Sequence, residues 1–399
     1  MLEIIIFITL GILAGIITGL TPGIHINLIS VILLSLSPLL LNHVSVLSLA
    51  VFIIAMSVTH TFLDCIPSIF LGAPDADTAL GVLPGHRYLL KGNGLMAVKL
   101  TVIGSFGALI LSILMFPLLI PFVEFIYPLI ENYIGILLIL VVTFMIMRDR
   151  KKSWAISVFL LSGIFGLIVL NIPNFDNPLF PLLSGMFGIS TLLISLNDNC
   201  VIPKQNYSTK IKLSKILTLK ALLSGQFSGF ITAVMPGLGG STAAVIAMQI
   251  TRNLGDHGFM ILMGSINTVN FILSMVTLLV LEKARNGSII AVQSLVGTVT
   301  IIDIVIFLST TLIAGSIAVF LTLKIAKIFC NLISKVNYKK LVLSIILFII
   351  LMCFILTGPL GFFILIVSTG LGMIPAIVKC TRTHSMGCLL LPVILYFIL

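Results

Sequence analysis

The sequence predicts an all-α polytopic membrane protein of two inverted-topology repeats, each a re-entrant Pro-Gly hairpin plus about five transmembrane helices. Three observations carry this reading. The composition is one that only a bilayer accepts, the apolar runs have spanning length, and one motif recurs with an odd number of crossings between its copies.

Of 399 residues, 59% are hydrophobic and 9% charged, against about 25% charged in soluble domains. Too few charged side chains remain to cover a water-facing surface. In lipid every backbone polar group must be satisfied inside a helix or a closed barrel. Barrel strands alternate apolar and polar residues, whereas runs such as Leu341 to Leu356 are almost unbroken, so helices are expected. The net charge of +10 is accounted for by basic cytoplasmic loops rather than by nucleic acid. Six cysteines are scattered without a Cys-x-x-Cys pair, which indicates neither a metal site nor a disulfide framework. The N-terminal apolar stretch has no basic n-region or small-residue cleavage site and is expected to belong to the fold.

A helix needs roughly 17 to 25 apolar residues to cross the hydrocarbon. Spans are expected at 44–63, 95–126, 133–148, 154–171 and 178–196, then at 259–281, 298–323, 341–357, 359–377 and 385–399. The segment 95–126 is long enough to tilt or to kink at Pro117. Two further apolar stretches, 2–41 and 221–250, are interrupted by Thr21-Pro22-Gly23 and by Met235-Pro236-Gly237. At least one arm of each is too short to span, so each reads as a re-entrant hairpin; a pair of short full crossings would give the same parity. This layout puts twenty of the twenty-two basic residues on one side and only Lys283 and Arg285 on the other. Such a bias marks the loaded side as cytoplasmic and places both termini outside the cell membrane.

The repeat is the third observation. Shifting the sequence by 214 places lays Gly11–Asn27 over Gly225–Ser241, with identities at Gly11/Gly225, Gly15/Gly229, Ile17/Ile231, Thr18/Thr232, Pro22/Pro236 and Gly23/Gly237. A weaker echo pairs Thr59 and Phe62 with Thr268 and Phe271. Gly-x-x-x-Gly spacing is common wherever membrane helices pack closely, but Thr and Pro-Gly at fixed offsets make the match specific. The chain then divides into a first repeat at 1–203, a basic linker at 204–220 and a second repeat at 221–399. Five spans after each hairpin send the second copy through the membrane upside down. Inverted repeats characterise secondary carriers, whose sites lie near the midplane at broken helices.

Proline removes a helix donor and glycine opens unusual backbone geometry, so both Pro-Gly pairs should break their helices. A broken end exposes N–H groups at a positive dipole, which suits a carboxylate or a phosphate. The candidate substrate-binding residues are therefore Thr21, Pro22, Gly23, His25 and Asn27 in the first copy. In the second they are Pro236, Gly237, Gly239, Gly240, Ser241 and Thr242. An ordinary surface turn would show the same Pro-Gly pair. Asp64, Asp303 and His60 are ionisable groups at or near membrane depth, where such groups are costly and usually face a cavity. They are candidates for a coupling proton or sodium ion, as is His25, although a buried histidine is more often simply hydrogen-bonded and Asp64 would sit equally well at a helix end. Asn267 and Asn270 read as interhelical hydrogen-bonding residues. There is no P-loop, no H-E-x-x-H and no nucleophile elbow, so no enzyme and no bound cofactor are expected.

The motifs G-x-I-T-G-L-T-P-G at 15–23 and G-x-I-T-A-V-M-P-G-L-G-G at 229–240, with the segment Ile69 to Ala97, resemble the large permease subunit of the tripartite tricarboxylate transporters, the TctA family. In that segment Pro74, Thr78, Pro84, Lys91, Gly92, Gly94 and Ala97 fit the family pattern, while Asp75 stands where the family has glycine. The resemblance implies ion-gradient-driven uptake of a carboxylate anion, with a small membrane subunit and an extracytoplasmic binding protein as partners. Two other readings stand beside this carrier. One is a translocase for a polyprenyl-phosphate-type lipid, whose phosphate would suit the same helix ends; the other is an assembly subunit without transport of its own.

Overall fold

The first apolar stretch forms α1 (Leu2–Leu20), followed by α2 (Ile26–Leu40) and α3 (Val46–Leu63). This computed structural model describes the whole chain except residues 1, 22–25, 73–79, 81, 176, 198–202, 208–213, 235–239, 252–253, 285 and 334–337. Glycines 11, 15 and 19 put a stripe without side chains on α1, and α3 lies in it. A Cβ on Gly11 would stand 2.6 Å from the Phe52 carbonyl oxygen, and one on Gly15 2.6 Å from that of Met56. The contacts advance together along both helices, Gly11 with Ala55, Gly15 with Thr59 and Gly19 with Leu63. Hence α1 and α3 run parallel, and α2 must bring the chain back to the end from which α1 set out. Glu3 ties that end down by accepting from the backbone N–H and hydroxyl of Ser45, the N-cap of α3.

Asp64 interrupts the path after α3. It is the C-cap of α3 and directly precedes the short helix α4 (Cys65–Leu71), which stops at Gly72 in the left-handed region. There follow α5 (Val82–Leu90), α6 (Gly94–Ile130), α7 (Ile134–Arg148) and α8 (Lys152–Leu170). The first half ends with α9 (Leu179–Leu183) joined to α10 (Ser190–Asn197) by one π-helical turn. The expected span 95–126 is longer, Gly94–Ile130, and stays helical through Pro117, Pro121 and Pro128. Membrane helices tolerate such prolines because neighbours satisfy the freed carbonyls.

The second half opens with α11 (Lys215–Val234), α12 (Gly240–Ile250) and α13 (Gly255–Leu281). Gly225 meets Ser265 and Gly229 meets Val269, so α11 and α13 also run parallel with a return helix between them. Thr18 and Thr232, matched by the 214-place shift, make the same hydrogen bond: each hydroxyl donates to the carbonyl three residues back, of Gly15 and Gly229. Next come the short α14 (Gly287–Val296), then α15 (Ile301–Ile333), α16 (Tyr338–Val378) and α17 (Gly387–Ile398). Gly358, at φ 66° and ψ −164°, splits α16 into two helices, at the boundary expected between 341–357 and 359–377. The short helices α5 and α14 are not among the sequence expectations, since neither run approaches spanning length.

Eight helices among the described residues are long and apolar enough to cross a membrane. At the centre α13 is buried along its whole apolar stretch, held by α6 on one side and α11 on the other. The outward faces are apolar: Leu114 is 71% exposed, Phe125 70% and Phe320 76%. A water-facing patch of this kind would be an aggregation hazard; against lipid it is the required surface. Hydrophobicity does not drive helices together inside lipid, so close packing at small residues does. Gly166 abuts the Cys388 carbonyl and Gly387 that of Phe159, joining α8 to α17. Gly372 meets Met186 in the same manner, joining α16 to the π turn.

Candidate functional site

Three pairs of polar side chains are buried in this apolar core, each joining two helices. The Thr18 hydroxyl lies 3.2 Å from Nδ1 of His60, linking α1 to α3. At the Asp64 interruption the Asn267 side-chain amide of α13 donates to the carboxylate over 2.9 Å. Ser112 of α6 and Gln226 of α11 bond reciprocally, at 3.1 and 2.8 Å. All six residues are buried. Beside Asp64 is a cavity of about 20 Å³, lined by Thr61, Ser68, Thr101 and Asn267 among others. One water needs roughly 10–15 Å³, so the space suits a single water or a small cation bounded by a carboxylate, an amide and hydroxyls. Such hard oxygen donors suit sodium rather than a transition metal. The described residues hold no cluster of three His, Cys, Asp or Glu of the kind a metal ion would need.

The structure places His60 and its C-cap neighbour Asp64 among these pairs, one helical turn apart at the end of α3, where the Asp64 backbone N–H donates to the His60 carbonyl. Thr21 extends α1 by one hydroxyl bond to the Ile17 carbonyl. Asn27 starts α2 against Gly287 of α14, where an added Cβ would lie 2.6 Å from its amide carbon, and one turn on Ser30 bonds Ser288. Gly240 opens α12. Pro22, Gly23, His25, Pro236, Gly237 and Gly239 lie outside the described residues, as do Pro74, Asp75 and Thr78 and the side chains of Ser241 and Thr242. Asp303 is held locally at the start of α15. Its carboxylate accepts from the Thr300 N–H and hydroxyl at 2.9 and 2.6 Å, a capping arrangement.

A far larger cavity, about 730 Å³, opens where basic segments gather, and both halves contribute to its walls. It lies between α5, the π turn and α10 on one side and the ends of α12, α13 and α16 on the other. Arg87, Lys379 and Arg382 face it, with Asp256 3.2 Å from Arg87. Segment 378–384 is clamped from the α7–α8 loop. The Asp149 carboxylate accepts from the Thr381 N–H and hydroxyl at 3.0 and 2.7 Å and meets Nε2 of His384 at 2.9 Å. Lys151 Nζ donates to the Val378 carbonyl. Burial opposes ionisation of Asp149, but the Lys151 N–H, the two Thr381 donors and His384 outweigh it and hold its carboxyl well below the usual carboxylate range.

The Tripartite tricarboxylate transporter TctA family matches residues 5–387. The chain belongs to this family. An uncharacterized protein of Methanocaldococcus jannaschii is 31% identical over 402 residues, covering 99% of each chain. No solved structure matches. As a TctA-family member the chain is a multi-pass membrane transporter component, from a family that works in tripartite systems with a binding protein and a small subunit. Sequence reading missed Arg382, Thr191 and Gln226 as participants. The polar run Thr381-Arg-Thr-His-Ser385 between two apolar runs was the available signal, and it reads locally as nothing more than a basic loop.

Proposed function

We propose that this TctA-family chain is a secondary transporter of a small carboxylate-type anion, driven by a proton or sodium gradient. In this reading it alternates access by rocking one inverted repeat against the other, with the anion held at the broken-helix ends. The observation that carries it is the buried Asp64–Asn267 bond, a carboxylate held by an amide across two halves of the chain beside a cavity of single-ion size. A buried carboxylate in a membrane is costly and marks an ion path by default. The parallel pairs α1/α3 and α11/α13, with matched glycine contacts and matched Thr18 and Thr232 bonds, support the repeat. A small membrane subunit and an extracytoplasmic binding protein are the partners proposed for it.

Uptake of labelled citrate and related carboxylates into proteoliposomes, with proton and sodium gradients imposed separately, tests the proposal. Saturable uptake under one gradient supports the carrier and identifies its ion. No uptake by folded protein under either gradient would sink it and turn attention to a lipid phosphate. Topology is testable separately. Single cysteines replacing Lys151 and Lys339 are expected to react with an impermeant maleimide only from the cytoplasmic side; labelling of either from outside would overturn the inverted layout.

A further inference from the structure

We propose that Arg382 anchors an anion station at the basic end of the molecule, which takes one carboxylate of the transported anion at the cytoplasmic side of its path. The inference rests on the carrier reading above. Its basis is a charge without a counter-charge among the described residues. Arg382 is half-buried in the wall of the 730 Å³ cavity, and its one hydrogen-bond partner among the described residues is the Thr191 hydroxyl. A guanidinium offers five donors in a planar fork that matches a carboxylate in bidentate fashion. One hydroxyl leaves most of that capacity unused, and a partly desolvated cation gains strongly from an anion.

The described surroundings of the site are net positive. The carboxylate lining the cavity among the described residues is Asp256, and Arg87 already sits against it at 3.2 Å. Lys379 adds a second cation at the rim, in the left-handed conformation that ends α16. Asp149 is close along the fold, but its oxygens are taken by Lys151, Thr381 and His384. It grips the residues on both sides of Arg382 without neutralising it, which makes it a positioning residue. The cavity volume falls within the range of small-molecule sites, which are mostly apolar with a few placed polar groups. Walls drawn from both halves would change shape in any rocking motion, so a ligand held here is released or admitted as the halves move.

The experiment compares wild type, Arg382→Gln, Arg382→Lys, Thr191→Val and Asp149→Asn for citrate uptake kinetics and for thermal stabilisation by citrate in detergent. Arg382→Gln is expected to raise KM about tenfold to a hundredfold, the effect of losing a charge-assisted bidentate contact, and to abolish stabilisation by citrate while the ligand-free melting temperature holds. Arg382→Lys should fall between, keeping the charge and losing the fork. Thr191→Val, which keeps the guanidinium but frees its orientation, should raise KM several-fold; so should Asp149→Asn, with kcat spared in both. If wild type transports and is stabilised while Arg382→Gln matches it in KM and stabilisation, the station is wrong and the carrier stands. If Arg382→Gln fails to fold, an unchanged KM in both Thr191→Val and Asp149→Asn overturns the station instead. If wild type neither transports nor is stabilised by any carboxylate, both readings fall.

Discussion

Gly264→Leu and Gly104→Leu are each expected to leave little folded protein to extract from the membrane. The two glycines mark the crossing of α6 and α13, where a Cβ on Gly104 would lie 2.0 Å from the Ile261 carbonyl oxygen and one on Gly264 2.1 Å from that of Thr101. Neither obstacle is a flexible side-chain end; both are backbone. To admit a side chain the two helices must separate, and the Ser105 hydroxyl must give up its 3.1 Å bond to the Gly264 carbonyl. Overpacking costs about 1–3 kcal/mol even where side chains can yield, and here they cannot. Because α13 is the most enclosed helix and Asn267 sits one turn beyond Gly264, a shift at the crossing would also pull the amide from Asp64. Gly370→Ala is the control: an added Cβ meets nothing within 4 Å there, and alanine favours the helix by up to about 1 kcal/mol. Size-exclusion profiles and melting curves of all three variants decide the matter. A wild-type melt for Gly264→Leu would mean that α6 and α13 do not cross in this register.

The same crossing shows what was legible in the sequence. Gly-x-x-x-Gly at 11–15 and 225–229 advertised close contact because small residues at four-residue spacing have one structural use in lipid. Gly358-Pro359 marked the break inside α16, where the expected spans 341–357 and 359–377 meet. Gly104 and Gly264 belong to no Gly-x-x-x-Gly pair, Gly107 and Gly258 lying three and six residues from them, and nothing in either run showed that the two meet. Polar pairing was harder still. Asn267 was readable as a hydrogen-bonding residue, but its partner lies 203 positions away, and Ser112 and Gln226 are 114 apart. Arg382 and Thr191 are likewise separated by a whole half of the chain. Sequence periodicity reports which face of a helix is apolar; it does not report which two faces meet. Asp303 illustrates the converse. Thr300 three residues before it is a capping signal, and the two local bonds it makes were there to be read.

Asp64→Asn is expected to keep the fold and lose gradient-driven accumulation by about a hundredfold, a factor equivalent to roughly 3 kcal/mol. Asparagine has nearly the shape of aspartate, and its amide oxygen can accept the Asn267 donor that now reaches Asp64 at 2.9 Å. Packing and the hydrogen bond therefore survive, and only the charge is removed. Asp64→Ala would instead strand a buried donor at about 1–3 kcal/mol, confounding stability with transport. The distinction lies in the assay. A permanently neutral residue 64 imitates the protonated state, so if a proton is the coupling ion, exchange of labelled for unlabelled anion across equal concentrations should continue while accumulation stops. If sodium occupies the 20 Å³ space beside the carboxylate, removing its charge abolishes sodium dependence in both assays, because the ion's strongest ligand is gone. His60, one turn earlier and bonded to Thr18, separates the cases further: His60→Gln should perturb coupling only if a proton passes between the two residues. Accumulation at the wild-type level by Asp64→Asn would remove Asp64 from the coupling mechanism and leave the buried pair as a structural link between the halves.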